Sequence, residues 1–192
     1  MLDAAAKPSP IVDNLFPLSE FYARTSLALP VISRVQPGAM PEPYRSLLVH
    51  SNDMTPTLER HHASGIYIRA LSTERRGTDY FREVVLHRNS DDAAVEFGAN
   101  CIHLERFSPE ARWMILQEKV PLGQILREHR IQHVTQALDF FRVEPDETIC
   151  QALNLPAPVS LYGRRALLSD AQNQPLSEVV EVLPLASMTP RS

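Results

Sequence analysis

Apolar and polar positions alternate in GIYIRALSTE, Gly65 to Glu74, with Ile66, Ile68 and Ala70 on one side and Tyr67, Arg69 and Leu71 on the other. A period of two is the signature of a strand. RRGTD reads as a turn, and YFREVVLHR, Tyr80 to Arg88, returns as a second strand. After NSDDA the pattern gives a third in AVEFGANCIHLERF. SPEARWMILQE then switches to helix, with Ser108 as cap and Pro109 in the first turn, and PLGQILREH predicts another short helix. IQHVTQALDFFRVE predicts a fourth strand. YGRRALLSDAQNQPLSEVVEVLP, Tyr162 to Pro184, predicts a closing hairpin around the polar turn Asp170 to Gln174.

Upstream, the first forty or so residues are broken by proline, most clearly in ALPVISRVQPGAMPEP, and read as an extended wrap or a short helix plus linker. Between them and the first strand, Pro43 can open one short helix. Asp53 or Thr55 can cap another with Pro56 in its first turn, turning Leu47, Leu48 and Leu58 inward. The expectation is therefore an extension over 1–42 and one domain over 43–192: an α+β fold with a six-stranded antiparallel sheet and helices packed on one side of it.

At 192 residues, with 44% hydrophobic and 22% charged positions, the chain can bury a full core. A net charge of −4 gives no basic footprint for a nucleic-acid partner. No apolar run approaches the ~20 residues of a membrane span, and the start, MLDAAAKPSPIVDNLF, lacks an apolar core of signal-peptide type. Cytoplasmic residence is the expectation. Cys101 and Cys150 lack metal-site spacing and read as plain thiols. His129 and His133 lie four apart in EHRIQH, which is not the zincin pattern, and no third ligand is in view. His61 and His62, adjacent on a helix, read as solvated or capping groups. With only six glycines and no glycine-rich loop, a nucleotide cofactor is not expected, and no serine or cysteine sits in a nucleophile elbow.

Two charged positions inside apolar strands stand out. Arg82 shares a strand face with Tyr80, Val84 and Leu86, so if that face is buried its guanidinium demands an anion, either a protein carboxylate such as Glu181 or a ligand. Glu181 sits between Val180 and Val182 and shares a face with Val179 and Leu183. Desolvation there would raise its pKa toward a general acid's range unless a cation such as Arg165 compensates. Glu178, on the opposite face, competes for the role, and spacing alone does not choose between them.

Four segments together resemble the chorismate pyruvate-lyase (chorismate lyase) family: DMTPTLE at Asp53 to Glu59, REVVL at Arg82 to Leu86, PLGQIL at Pro121 to Leu126, and YGRR…PLSEVVEVLP. That family has a six-stranded antiparallel sheet and converts chorismate to 4-hydroxybenzoate and pyruvate without a metal or organic cofactor. The resemblance implies that Arg82 binds the ring carboxylate, helped by backbone at Met54, while backbone at Leu122 and a C-terminal glutamate contact the oxygen-bearing end. Between GRR and Glu181 the path is about two residues longer than the family pattern, one on each side of the proline. Such an insertion moves the turn outward and preserves an Arg165–Glu181 pairing, which favours Glu181 over Glu178. Arg82 and Glu181 are then the expected catalytic pair, and chorismate and its aromatic product the expected small-molecule partners. The effector-binding domains of some bacterial transcription regulators share this fold, so the alternative is a non-catalytic domain that senses an aromatic acid.

Overall fold

The computed structural model describes residues 15–184; residues 1–14 of the expected extension and 185–192 of the expected domain lie outside the described residues. Its centre is one antiparallel sheet of seven strands rather than six: β1 (Val31–Arg34), β2 (Ile66–Arg76), β3 (Asp79–Arg88), β4 (Ala94–His103), β5 (His133–Glu144), β6 (Leu161–Asp170) and β7 (Pro175–Leu183), in the spatial order β1-β5-β6-β7-β4-β3-β2. The additional strand, β1, comes from the proline-broken start. It pairs Val31 to Arg34 against Glu144 to Phe141 on the edge of β5, and of its four residues only Ile32 is buried. Four residues with one inward side chain leave too little alternation to read as a strand.

Helices cover both faces, not one. β3 is buried without interruption from Tyr80 to His87, the pattern of a strand enclosed on two sides. On one face α1 (Leu18–Thr25) and α6 (Glu147–Ala152) pack Leu18, Phe21, Tyr22 and Ile149 against Phe81, Val85, Phe97, Phe141 and Val180. The Asp146 carboxylate caps α6 by accepting from the Ile149 amide at 3.0 Å. The segment read as an extension thus supplies α1 and β1 to the core.

The other face carries α2 (Tyr44–Leu48), α3 (Met54–His62), α4 (Pro109–Leu116) and α5 (Leu122–Glu128). Ser108 caps α4 as expected, its hydroxyl accepting from the Ala111 amide at 3.2 Å, with Pro109 in the first position. The apolar packing under these helices divides in two. Leu122, Ile125, Ile115, Ile102, Leu168 and Val179 form one cluster; Leu47, Leu48, Met54, Leu58, Ile68, Val84 and Leu86 form the other. Between them the sheet presents charged side chains.

The β6–β7 hairpin sets which charges those are. Its ladder slips by one between Ser169↔Pro175 and Leu168↔Ser177, leaving Leu176 as an extra residue, and beyond that bulge Arg164 stands opposite Glu181 and Arg165 opposite Val180. The expected Arg165–Glu181 pairing is therefore replaced by Arg164–Glu181. Directly opposed residues share a face, so a shift of one puts Arg165 on the far side. There it pairs with Asp139 at 3.3 Å and approaches Glu178 at 3.8 Å. Gly163, next to the arginine pair, has no room for a side chain: a Cβ there would lie 2.5 Å from the Glu181 carbonyl oxygen and 2.6 Å from the Phe141 ring.

Candidate functional site

Arg82 projects from the middle of β3, opposite Thr73 on β2 and Asn100 on β4. Its side chain is among the largest that are fully buried, yet its Nε and Nη1 have no hydrogen-bond partner. Burial lowers its pKa to about 10, opposed by nearby Tyr80 and Glu118, so the guanidinium stays charged at neutral pH. Glu118 pairs with the Tyr80 hydroxyl rather than with Arg82.

Glu181 does not meet Arg82. It pairs with Arg164, Nε to Oε2 at 2.5 Å, with the arginine wholly enclosed. The rest of that guanidinium is occupied as well: Nη1 donates to the carbonyls of Leu48 at 3.2 Å and His50 at 3.0 Å and to His50 Nδ1 at 3.1 Å, and Nη2 donates to the Asn52 carbonyl at 3.1 Å. Arg164 thereby ties the connection between α2 and α3 to the sheet. Burial, and then the Arg164 charge, lowers the His50 pKa and favours the neutral ring.

A cavity of about 50 Å³ lies between the two apolar clusters. Met54, Arg82, Leu122 and Glu181 all line it, with Asp53, Thr55, Glu96, Asn100, Thr135 and Arg164 supplying the other polar side chains. Glu178 does not; it stands opposite Cys101, on the face turned away. Met54 and Leu122 open α3 and α5, and the two helices approach closely at Gly123, where a Cβ would lie 3.2 Å from Thr55 Oγ1. The first turn of α3, with the positive end of its dipole, therefore borders the cavity.

Asp53 occupies the cap position of α3 but makes no capping bond. Its carboxylate is held by His133 Nε2 at 2.9 Å and accepts from Thr135 Oγ1 at 2.7 Å. Burial alone would raise its pKa; these hydrogen bonds and the charges of His133 and Arg164 outweigh that and bring it below the usual value, while the Asp53 hydrogen bond raises that of His133. His129 sits elsewhere, against the Met114 sulfur at 3.1 Å. On the opposite face Asp79, Cys101 and His103 gather their ligand atoms within 4.8 Å, with His103 Nδ1 hydrogen-bonded to Asp79 at 2.8 Å.

Glu96 is the residue that pattern reading passed over. It stands on β4 opposite Leu86, and its Oε2 is buried with no partner. Its carboxyl reaches back over Gly98, where a Cβ would come within 3.0 Å of Oε1, and Gly98 is the residue directly opposite Glu181. Burial first, and the Glu181 charge second, push its pKa well above the ordinary carboxylate value against the opposing effect of Arg164. A signal was present: Glu96, Gly98 and Asn100 share one face of a strand whose other face is Phe97, Ala99 and Cys101. Polar and small residues confined to one face of a central strand mark the floor of a hollow rather than a packed core.

No protein-family model matches the chain, and no curated protein matches it. Among solved structures it is similar to the effector domain of PhnF from Mycobacterium smegmatis, with 12% identity and a TM-score of 0.53 over 70% of this chain and 89% of that one. The PhnF chain itself gives 13% identity and a TM-score of 0.54 over 73% and 67%. YydK from Bacillus subtilis, described as a "possible transcriptional regulator", gives 9% identity and a TM-score of 0.49 over 62% of this chain, which spans 59% of YydK. At such identities the likeness establishes the α+β fold. No helix among the described residues is long and apolar enough to cross a membrane.

Proposed function

We propose that this domain binds a small monocarboxylic acid, of aromatic or similar ring type, and serves as a ligand-sensing module. The observation that supports it is Arg82: a fully enclosed guanidinium facing a cavity, with Nε and Nη1 unpaired. A buried charge without a partner is costly, and a planar carboxylate fits the guanidinium fork in two-pronged fashion. The fold shared with the PhnF effector domain supports the same reading. The charge arrangement favours one carboxylate over two. Arg164 is already neutralised by Glu181, and Glu96 and Glu181 crowd the end of the cavity away from Arg82, so a second anionic group there would be repelled. At about 50 Å³ the space is also small beside the roughly 150 Å³ that accommodates benzene. Holding a ring would require the cavity to widen.

Calorimetric titration with benzoate and 4-hydroxybenzoate tests the proposal. Binding should be measurable in the wild type and weakened at least about a hundredfold in Arg82→Leu, the scale expected when a buried charged hydrogen bond is removed. Equal affinity in the two proteins would remove Arg82 from the site.

A second reading, chorismate pyruvate-lyase activity, is favoured by one observation: Met54, Arg82, Leu122 and Glu181, the positions implied by the family resemblance, line a single cavity. Incubation with chorismate while following pyruvate and 4-hydroxybenzoate separates the two. Turnover that disappears in Arg82→Leu supports the lyase; tight binding of the aromatic acid with no pyruvate release supports the sensor.

A further inference from the structure

We infer that Glu96 is a hydrogen-bond donor that selects, among the acids Arg82 can hold, those carrying an oxygen acceptor at the far end of the ring. The inference rests on the carboxylate-binding reading above and deepens it. The geometry has three parts. Glu96 lines the cavity, its Oε2 is enclosed, and that atom has no partner among the described residues. Its other oxygen, Oε1, lies over Gly98, the one position on this part of β4 without a side chain, where a Cβ would come within 3.0 Å of it. The cation nearby, Arg164, is committed: Glu181 takes its Nε, and the Leu48, His50 and Asn52 carbonyls take both terminal nitrogens.

Two carboxyls at one enclosed cation cannot both ionise cheaply. Glu181 holds the short contact to Arg164 and is the ionised member, so Glu96 keeps its proton and presents an O–H. The raised pKa of Glu96, from burial and then from Glu181, agrees with this. The other charged or titratable groups around the cavity are Arg82 on β3 and Asp53 at the start of α3, with His133 on β5 behind Asp53 and His50 behind Arg164. Arg82 is directed to the ligand carboxylate and Asp53 is held by His133 and Thr135, so neither competes for the Glu96 proton. The cavity thus reads a ring from two ends, a cation for the carboxylate and a neutral acid for an ether, carbonyl or hydroxyl oxygen. An anionic oxygen at that second end would be rejected.

The test uses the full chain and a matched pair of probes, 4-methoxybenzoate and 4-ethylbenzoate, which differ by an ether oxygen in place of a methylene; benzoate is the control. Wild type should prefer the methoxy acid by about fivefold or more, the worth of one neutral hydrogen bond. The preference should vanish in Glu96→Leu and persist in Glu96→Gln, whose amide still donates. It should also shrink with rising pH in the wild type, as Glu96 ionises, and stay flat in Glu96→Gln. Equal or tighter binding of the ethyl acid by the wild type overturns the assignment without any variant having to fold. Rejection of both para-substituted acids while benzoate binds overturns it too. If benzoate itself fails to bind, the Arg82 reading falls and this one with it.

Discussion

Arg82 and Glu83 are consecutive, lie on opposite faces of β3, and are both buried. Arg82 faces the cavity; Glu83 faces the side packed by α1 and α6. Burial, with Asp146 adding and Arg24 opposing, pushes the Glu83 carboxyl up to about 7. A carboxyl whose folded pKa exceeds its unfolded value binds an extra proton in the folded state, so its contribution is most favourable below about 4.5 and is lost as pH rises through about 7. Glu83→Gln should therefore leave stability nearly unchanged at pH 4 and raise it by roughly 2 kcal/mol at pH 8. Urea midpoints at the two pH values check this, and an equal change at both would refute it. The same comparison bears on Glu181, which the sequence offered as a carboxylate among valines and the hairpin register favoured over Glu178. Arg164 stands directly opposite Glu181, whereas Glu96 has no such cation across from it and only feels Arg164 at a distance.

At the scale of elements, the β6–β7 hairpin decides the site. Both strands were legible from their composition and turn, but the register was not, because the single extra residue at Leu176 lies in a run that reads as regular strand. That residue determines that Arg164 rather than Arg165 enters the core. Arg164→Met should destabilise the protein by about 3–5 kcal/mol, since it leaves Glu181 enclosed without a cation; Arg164→Met with Glu181→Leu should recover a large part of the loss. Thermal or urea unfolding of the three proteins checks it, and a double variant no more stable than Arg164→Met would contradict the argument. Gly163 is equally constrained. Gly163→Ala drives a methyl into the Glu181 carbonyl and the Phe141 ring and should cost about 2 kcal/mol or more, read as a lowered unfolding midpoint.

For the whole molecule, the question is what the first segment does. Leu15, Leu18, Phe21, Tyr22 and Ile32 are buried in the cluster formed with the central strands. At roughly 2 kcal/mol for each large side chain removed from water, they contribute about 10 kcal/mol, comparable to the entire net stability of an ordinary domain. A chain starting at Pro43 should therefore fail to unfold cooperatively, whereas one starting at Leu15 should. Circular dichroism melts distinguish them, and a cooperative transition in the shorter chain would restore the boundary at 42. Proline hid this segment from pattern reading. Pro17 and Pro30 bracket α1, and eight helical residues followed by a four-residue strand are too short to show a period.

What the sequence determined by itself was the set of strands β2 to β7, the helices around Pro43, Pro56, Ser108 and Pro121, and the fact that Arg82 and Glu181 lie within apolar strands. These depend on periodicity and caps, which are properties of neighbours along the chain. The tertiary structure decided the seventh strand, the burial of both sheet faces, the Arg164–Glu181 pair and the position of Glu96 above Gly98. Each of these depends on which residues the strand registers bring face to face across the sheet, and a one-residue change of register exchanges every partner.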